Sequence, residues 1–245
     1  YLRQASGEVM VCLVCTSGKL PQPAELVALL REAVPELASV MVNINRADTN
    51  VVLGEQTFVL YGRPTITDTL CGLRFRLSPQ SFYQVNRPQA ERLYALAAEA
   101  AGLTGEETLL DLYCGTGTIG LSMADKARQV IGVETVAAAV EDARRNAEDN
   151  GIVNAQFLCA DAGEAKEWLG EREIRPDVVV IDPPRKGCTP EVVDQIAALA
   201  PARVVYVSCD PATLARDVKR FAEQGYAPQW AAPVDMFPGT AHVET

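Results

Sequence analysis

The apolar positions of this chain fall into two regimes. An apolar run of strand length, Val9 to Cys15, is followed by helical spacing over Pro23 to Val34. Then come Val40–Asn45 and several short pieces rich in Val, Thr, Phe and Leu, which reach Leu77. Turns are predicted at Asp48–Asn50 and Tyr61–Pro64, where residues that favour tight backbone turns cluster. Short strands with a single helix read as a small α+β domain over residues 1–80, built on an antiparallel sheet.

From Phe82 onward the pattern becomes a regular alternation. A helix over Pro88–Ala101 precedes a strand at Thr108–Tyr113. Further strands are predicted at Gln129–Glu134, Ala155–Cys159, Asp177–Ile181 and Val204–Val207. Helices fall between and after them, at Thr118–Lys126, Val136–Asn150, Pro190–Ala200 and Pro211–Gln224. Strands separated by helices of this length are βαβ units, so residues 81–245 are predicted to be α/β, with a mostly parallel, doubly wound sheet.

Composition narrows the class. With 48% hydrophobic and 22% charged residues, the chain has the material for a packed core. No apolar run approaches the roughly 20 residues of a membrane span, and no signal-peptide pattern opens the chain, which predicts a cytoplasmic protein with no membrane partner. The chain opens on Tyr1 and closes on His242–Thr245, a strand pattern cut at its start, and reads as a fragment of a longer protein. Seven cysteines, an odd number scattered through apolar segments, fit reduced thiols better than a disulfide framework. Cys12 and Cys15 have CxxC spacing but lie inside a strand pattern. With no second pair and His242 the only histidine, no metal site is predicted. The net charge of −10 argues against a bare surface that attracts nucleic acid.

Candidate chemistry sits where predicted strands end. Cys209 follows the run Val204–Val207, and Asp210-Pro211 has the form of an N-cap and first helical residue. A helix N-terminus favours a thiolate while Asp210 opposes it; a buried structural cysteine is the competing reading. The strand at 108–113 runs into Asp111-Leu-Tyr-Cys-Gly115-Thr-Gly117-Thr-Ile-Gly120, where glycines let the backbone turn toward a ligand at a helix N-terminus. Glu134, ending the next strand, can accept hydrogen bonds from both ribose hydroxyls. A dinucleotide-dependent dehydrogenase fits that fingerprint too, but leaves the later motifs without a role. Asp182-Pro-Pro-Arg185 follows Val178–Ile181, and its two prolines hold the carboxylate rigidly at the sheet's carboxyl edge. Arg185 and Lys186 can meet a phosphate or an enolate oxygen, or be plain surface charge.

Together these segments resemble the RNA uracil-C5 methyltransferase family. The resemblance covers about Ser81–Thr245: Phe82–Asn86, Asp111–Gly117, Gly132–Glu134, Asp182–Arg185, Ser208–Pro211 and Met236–Glu244, in that order. Residues 1–80 look like the family's small central domain. The resemblance implies a Rossmann-like methyltransferase domain, S-adenosyl-L-methionine as cofactor, and an RNA substrate presenting a single-stranded or looped uridine, ribosomal before transfer RNA. It assigns Gln84, Tyr113, Glu134, Asp161 and Asp182 to the cofactor, Cys209 as nucleophile and Glu244 as general base. His242 is left as structural. Full-length members usually carry an N-terminal RNA-binding barrel, and some an iron–sulfur cluster, neither evident in this sequence. An acid-Pro-Pro amine methyltransferase, which needs no thiol, and a catalytically inert RNA-binding remnant are the alternatives.

Overall fold

The computed structural model describes residues 1–48, 51–240 and 242–245. The chain divides into two compact units, Tyr1–Thr69 with Arg74–Ser81, and Leu70–Leu73 with Phe82–Thr245. The turn expected at Asp48–Asn50 runs into residues outside those described.

The first unit contains β1 (Leu2–Ala5), β2 (Glu8–Cys15), α1 (Pro23–Ala33), β3 (Leu37–Ile44) and β4 (Gln56–Gly62), in the sheet order β1-β2-β3-β4. This sheet is mixed, which corrects the antiparallel expectation. β1–β2 and β3–β4 are antiparallel, but β2 and β3 run parallel because α1 carries the chain back between them. Val9, Leu37 and Val40 form a small core against Val27 and Leu30 of α1, which is why that helix has its helical spacing. Cys12 is buried in β2 and Cys15 half-buried, both as free thiols. A hairpin of β5 (Ile66–Leu70) and β6 (Leu73–Leu77) follows.

The second unit opens with α2 (Arg87–Ala101) and then alternates: β7 (Thr108–Leu112), α3 (Thr118–Ser122), β8 (Gln129–Glu134), α4 (Ala137–Asp149), β9 (Ala155–Cys159), α5 (Ala165–Glu171), β10 (Val178–Ile181), α6 (Pro190–Leu199), β11 (Arg203–Tyr206) and α7 (Pro211–Glu223). The sheet order is β11-β10-β7-β8-β9, all neighbours parallel. β7 to β10 are apolar at their centres because helices cover both faces; Leu110, Ile131, Val179 and Ile181 are completely buried. The helix expected over Thr118–Lys126 is shorter. α3 stops at Ser122, whose hydroxyl bonds the Ile119 carbonyl, and a 3₁₀ turn covers Ala124–Lys126. The chain builds outward from β7 through β8 to β9, then jumps back to β10 and β11. The order therefore reverses between β7 and β10, the place where open α/β sheets bind ligands at their carboxyl ends.

Candidate active site

In the paired register Ile181 lies opposite Leu112, so Asp182 and Tyr113 leave the sheet side by side at this reversal. Tyr113 takes a left-handed backbone (φ 61°), a conformation that costs a non-glycine residue of the order of 1–3 kcal/mol and tends to persist at ligand sites. Its ring packs partly into the core, and burial followed by Cys188 and Asp161 raises its phenol.

The loop after β7 is held from three directions. Gly115 N–H donates to Glu134 Oε2 (3.1 Å), and Val136 N–H donates to Glu134 Oε1 (2.9 Å). Gly120 N–H donates to Asp111 Oδ2 (2.8 Å), and Asn146 of α4 reaches the Thr116 carbonyl (3.1 Å). Gly117 is left-handed (φ 81°), and a Cβ there would press on Leu121 and Phe157, whereas one on Gly115 would meet open space. Asp111 Oδ1 and Thr116 Oγ1 are buried without a hydrogen-bond partner. Buried polar atoms normally have partners, so a polar ligand seated in this loop fits the residues present. Asp111 is pushed up to about 7 by burial, which outweighs the Gly120 N–H.

Asp161 follows β9 and is exposed; its Oδ1 accepts from Gly163 N–H (2.9 Å) in the turn before α5. Gln84 is buried, in a stretch whose Asn86 Nδ2 donates to the Met236 carbonyl (3.1 Å). That bond ties the Phe82–Asn86 segment to the C-terminal one. Phe82 is exposed and Tyr83 half-buried, so the adjacent aromatics divide between surface and interior.

Cys209, half-buried, precedes α7, and Asp210 is its N-cap as expected, with Oδ1 accepting from Ala212 and Thr213 N–H. Ser208 and Thr245 exchange backbone hydrogen bonds, and Glu244 bridges Val234 on its other side. Glu244 is thereby fixed near the thiol and buried, at 5% exposed. Burial raises its carboxyl and Arg185 pulls it back. Asp182 is pushed up to about 8 by burial, then by Glu244 and Asp111. The Cys209 thiol lies above its ordinary value through burial and then Glu244 and Asp182, with Arg185 opposing. Burial and the two carboxylates thus outweigh the cation.

Two partners were not singled out from sequence. His242, read as structural, has Arg185 Nη2 2.8 Å from its Nδ1, and Phe237 meets its ring edge-on. Asp217, completely buried on α7, takes the Cys188 N–H. Its only sequence signal is an acid in line with Leu214 and Phe221 on an amphipathic helix. Among the described residues no group of three His, Cys, Asp or Glu could hold a metal, and no helix is long and apolar enough to cross a membrane.

A parallel sheet with a glycine loop, the carboxylate of Glu134 bonded to that loop and an acid-Pro-Pro turn at its carboxyl edge defines a Rossmann-like methyltransferase domain. The whole chain, residues 1–245, matches the profile of the tRNA (Uracil-5-)-methyltransferase family, and the chain belongs to that family. It is 49% identical over 243 residues to an uncharacterized RNA methyltransferase of Lactiplantibacillus plantarum, covering 98% of this chain and 53% of that protein. It is 46% identical over 240 residues to one of Halalkalibacterium halodurans, with 98% and 52% covered. The chain therefore spans about half the length of the curated relatives it matches. Among solved structures, it is similar to the Pyrococcus abyssi tRNA (uracil-54, C5)-methyltransferase in complex with S-adenosyl-L-homocysteine. There the TM-score is 0.80 at 34% identity, over 99% of this chain and 57% of that one.

Proposed function

We propose that this chain transfers a methyl group from S-adenosylmethionine to carbon 5 of a uridine in RNA. The observation that carries the reading is the convergence of a thiol, Cys209, with a buried base, Glu244, beside Asp182 at the sheet's carboxyl edge. An amine methyltransferase has no use for that thiol.

Glu134, Tyr113, Gln84, Asp161 and Asp182 would hold the cofactor, with the orphan oxygen of Asp111 facing the same loop. When bound, S-adenosylmethionine supplies an electrophilic methyl group. Carbon 5 of uracil is a poor nucleophile until a thiolate adds at carbon 6. Cys209 makes that bond and leaves electron density at carbon 5 and on the adjacent carbonyl oxygen. After methylation carbon 5 still carries its proton. Glu244 removes it, the C6–S bond breaks, and the electron pair returns to the thiolate as the ring regains its double bond. Burial raises the Glu244 carboxyl, which makes its carboxylate a stronger base than an exposed one. Carbon 6 reaches a thiol only when the base is out of its stack, which favours a looped or single-stranded uridine. The P. abyssi protein is described as a tRNA enzyme, so transfer RNA stands beside ribosomal RNA as substrate.

The test incubates the protein with S-adenosylmethionine and 5-fluorouridine-containing transfer or ribosomal RNA, and reads intact mass. Fluorine does not leave as a proton does, so a methylated covalent adduct should accumulate and vanish in Cys209→Ala. No adduct in the wild type, with cofactor binding shown separately, would overturn the reading in favour of an amine methyltransferase or an inert remnant.

A further inference from the structure

Four side chains of α7, spaced at i, i+3, i+4 and i+7, grip the loop that follows Asp182. Thr213 Oγ1 donates to the Arg185 carbonyl (3.1 Å). Arg216 Nη2 donates to the Lys186 carbonyl (2.7 Å) and the Cys188 carbonyl (3.2 Å). Arg220 Nη1 reaches the same Cys188 carbonyl (3.5 Å). Asp217 closes the clasp: its Oδ2 accepts the Cys188 N–H and the Tyr206 hydroxyl, both at 2.8 Å, while its Oδ1 accepts from Arg216 Nε at 2.8 Å.

Burial works against a charged Asp217. The donors from Arg216, Tyr206 and Cys188 outweigh it and hold its carboxyl below the ordinary value. A bare buried carboxylate would be costly, so this one is retained together with all its donors. The loop is shaped to meet it. Gly187 is left-handed (φ 71°), and a Cβ there would run into Asp217 and Arg216. The helix holding the loop is the one whose first turn adjoins Cys209.

We propose that Asp217 is a positioning residue that locks the loop bearing Arg185 to the helix that follows Cys209, so that cation and thiol are held in one rigid unit. This rests on the reading of Cys209 as the nucleophile. Asp182 itself is anchored separately, by the sheet below it and by Pro183 and Pro184. Loosening the clasp therefore moves Arg185 away while Asp182 stays. The thiol loses the cation that favours its charged form and keeps Glu244 and Asp182, which oppose it.

The experiment compares wild type with Asp217→Asn, which keeps the shape but replaces one acceptor oxygen with a donor. Three quantities are read: S-adenosylmethionine affinity, the pH dependence of Cys209 alkylation by iodoacetamide followed by peptide mass, and turnover on uridine RNA. The clasp predicts cofactor affinity within twofold of wild type, because Glu134 and the glycine loop lie on β7 and β8. It predicts a Cys209 titration shifted upward by at least half a pH unit, and turnover lowered at least tenfold with little change in KM for RNA. A titration coincident with wild type, or cofactor affinity falling in step with turnover, overturns it. Should Asp217→Asn not fold, Tyr206→Phe removes one donor and must shift the titration in the same direction by less; no shift overturns the proposal. If the wild type methylates no uridine, the functional reading fails, while the alkylation curve still decides the clasp.

Discussion

Ser208 and Thr245 donate to each other's carbonyls, at 2.7 and 2.8 Å, although they lie 37 positions apart in the chain. Each is the immediate neighbour of a proposed catalytic residue, Cys209 on one side and Glu244 on the other. This two-bond rung sets the register of the C-terminal segment against the end of β11, and the Val234–Glu244 bridge fixes its other edge. A slip of one residue would turn Glu244 to the opposite face, because side chains alternate along an extended segment. The site is thus assembled by backbone pairing rather than by side-chain contact between thiol and base.

Glu244→Gln should separate bond formation from bond breaking. The amide keeps the shape and accepts no proton, so the methylated adduct forms and then stalls. Ordinary uridine RNA should then remain covalently attached under denaturing conditions, as it does not for wild type, with turnover down at least 10²-fold in line with loss of a general base. A variant that neither retains RNA nor turns over would remove Glu244 from proton abstraction.

Arg185 should matter most at neutral pH. Burial, Glu244 and Asp182 raise the Cys209 thiol and Arg185 opposes them, so Arg185→Gln raises it further. Below its pKa the thiolate fraction falls tenfold per pH unit. Alkylation of Cys209 in Arg185→Gln should therefore be about three- to tenfold slower than wild type at pH 8, the two rates converging only at a pH high enough to ionise both thiols. Equal rates at pH 8 would mean that the cation does not act on the thiol.

The βαβ alternation was legible because its strands are buried on both faces and its helices carry regular spacing. The motifs at 113, 134, 182 and 209 were legible because each falls at a strand's end. What sequence could not supply was partnership across distance. His242 and Arg185 are 57 positions apart, and nothing local marks their contact. Asp217 looks like one more polar residue on α7 until the fold brings Cys188 and Tyr206 to it. The parallel pairing of β2 with β3 was missed for the same reason, since direction depends on the path of α1 and not on either strand's composition. β1 and α5 were missed as well; each is short and carries too little periodicity to read.

Two glycines, Gly115 in the loop after β7 and Gly132 within β8, should respond differently in kind. A Cβ on Gly132 would stand 2.5 Å from the Phe157 ring and 2.8 Å from Cys114 Sγ, so Gly132→Ala overpacks the core below Glu134. It should cost about 1–3 kcal/mol of stability, read from denaturant unfolding. Gly115→Ala meets no atom but must hold φ +54°, a backbone cost of about 1–2 kcal/mol placed on the loop itself. It should weaken cofactor affinity more than Gly132→Ala does. Equal losses of affinity would mean the two glycines do the same work.

Asp182 makes the domain's stability depend on pH with a definite sign. Its carboxyl is pushed from 3.8 up to about 8, by burial first and then by Glu244 and Asp111. Between those two values the native state binds more protons than the unfolded chain, so the stability is fully present at acid pH and is lost as pH rises toward 8. Asp182→Asn cannot ionise and escapes that loss. Relative to wild type it should therefore gain stability between pH 5 and pH 8. Because the residue keeps some exposure, solvent screening limits the gain to about 1 kcal/mol. Thermal unfolding at the two pH values reads it directly. A difference between variant and wild type that stays constant across this window would show that Asp182 titrates as an ordinary surface carboxylate.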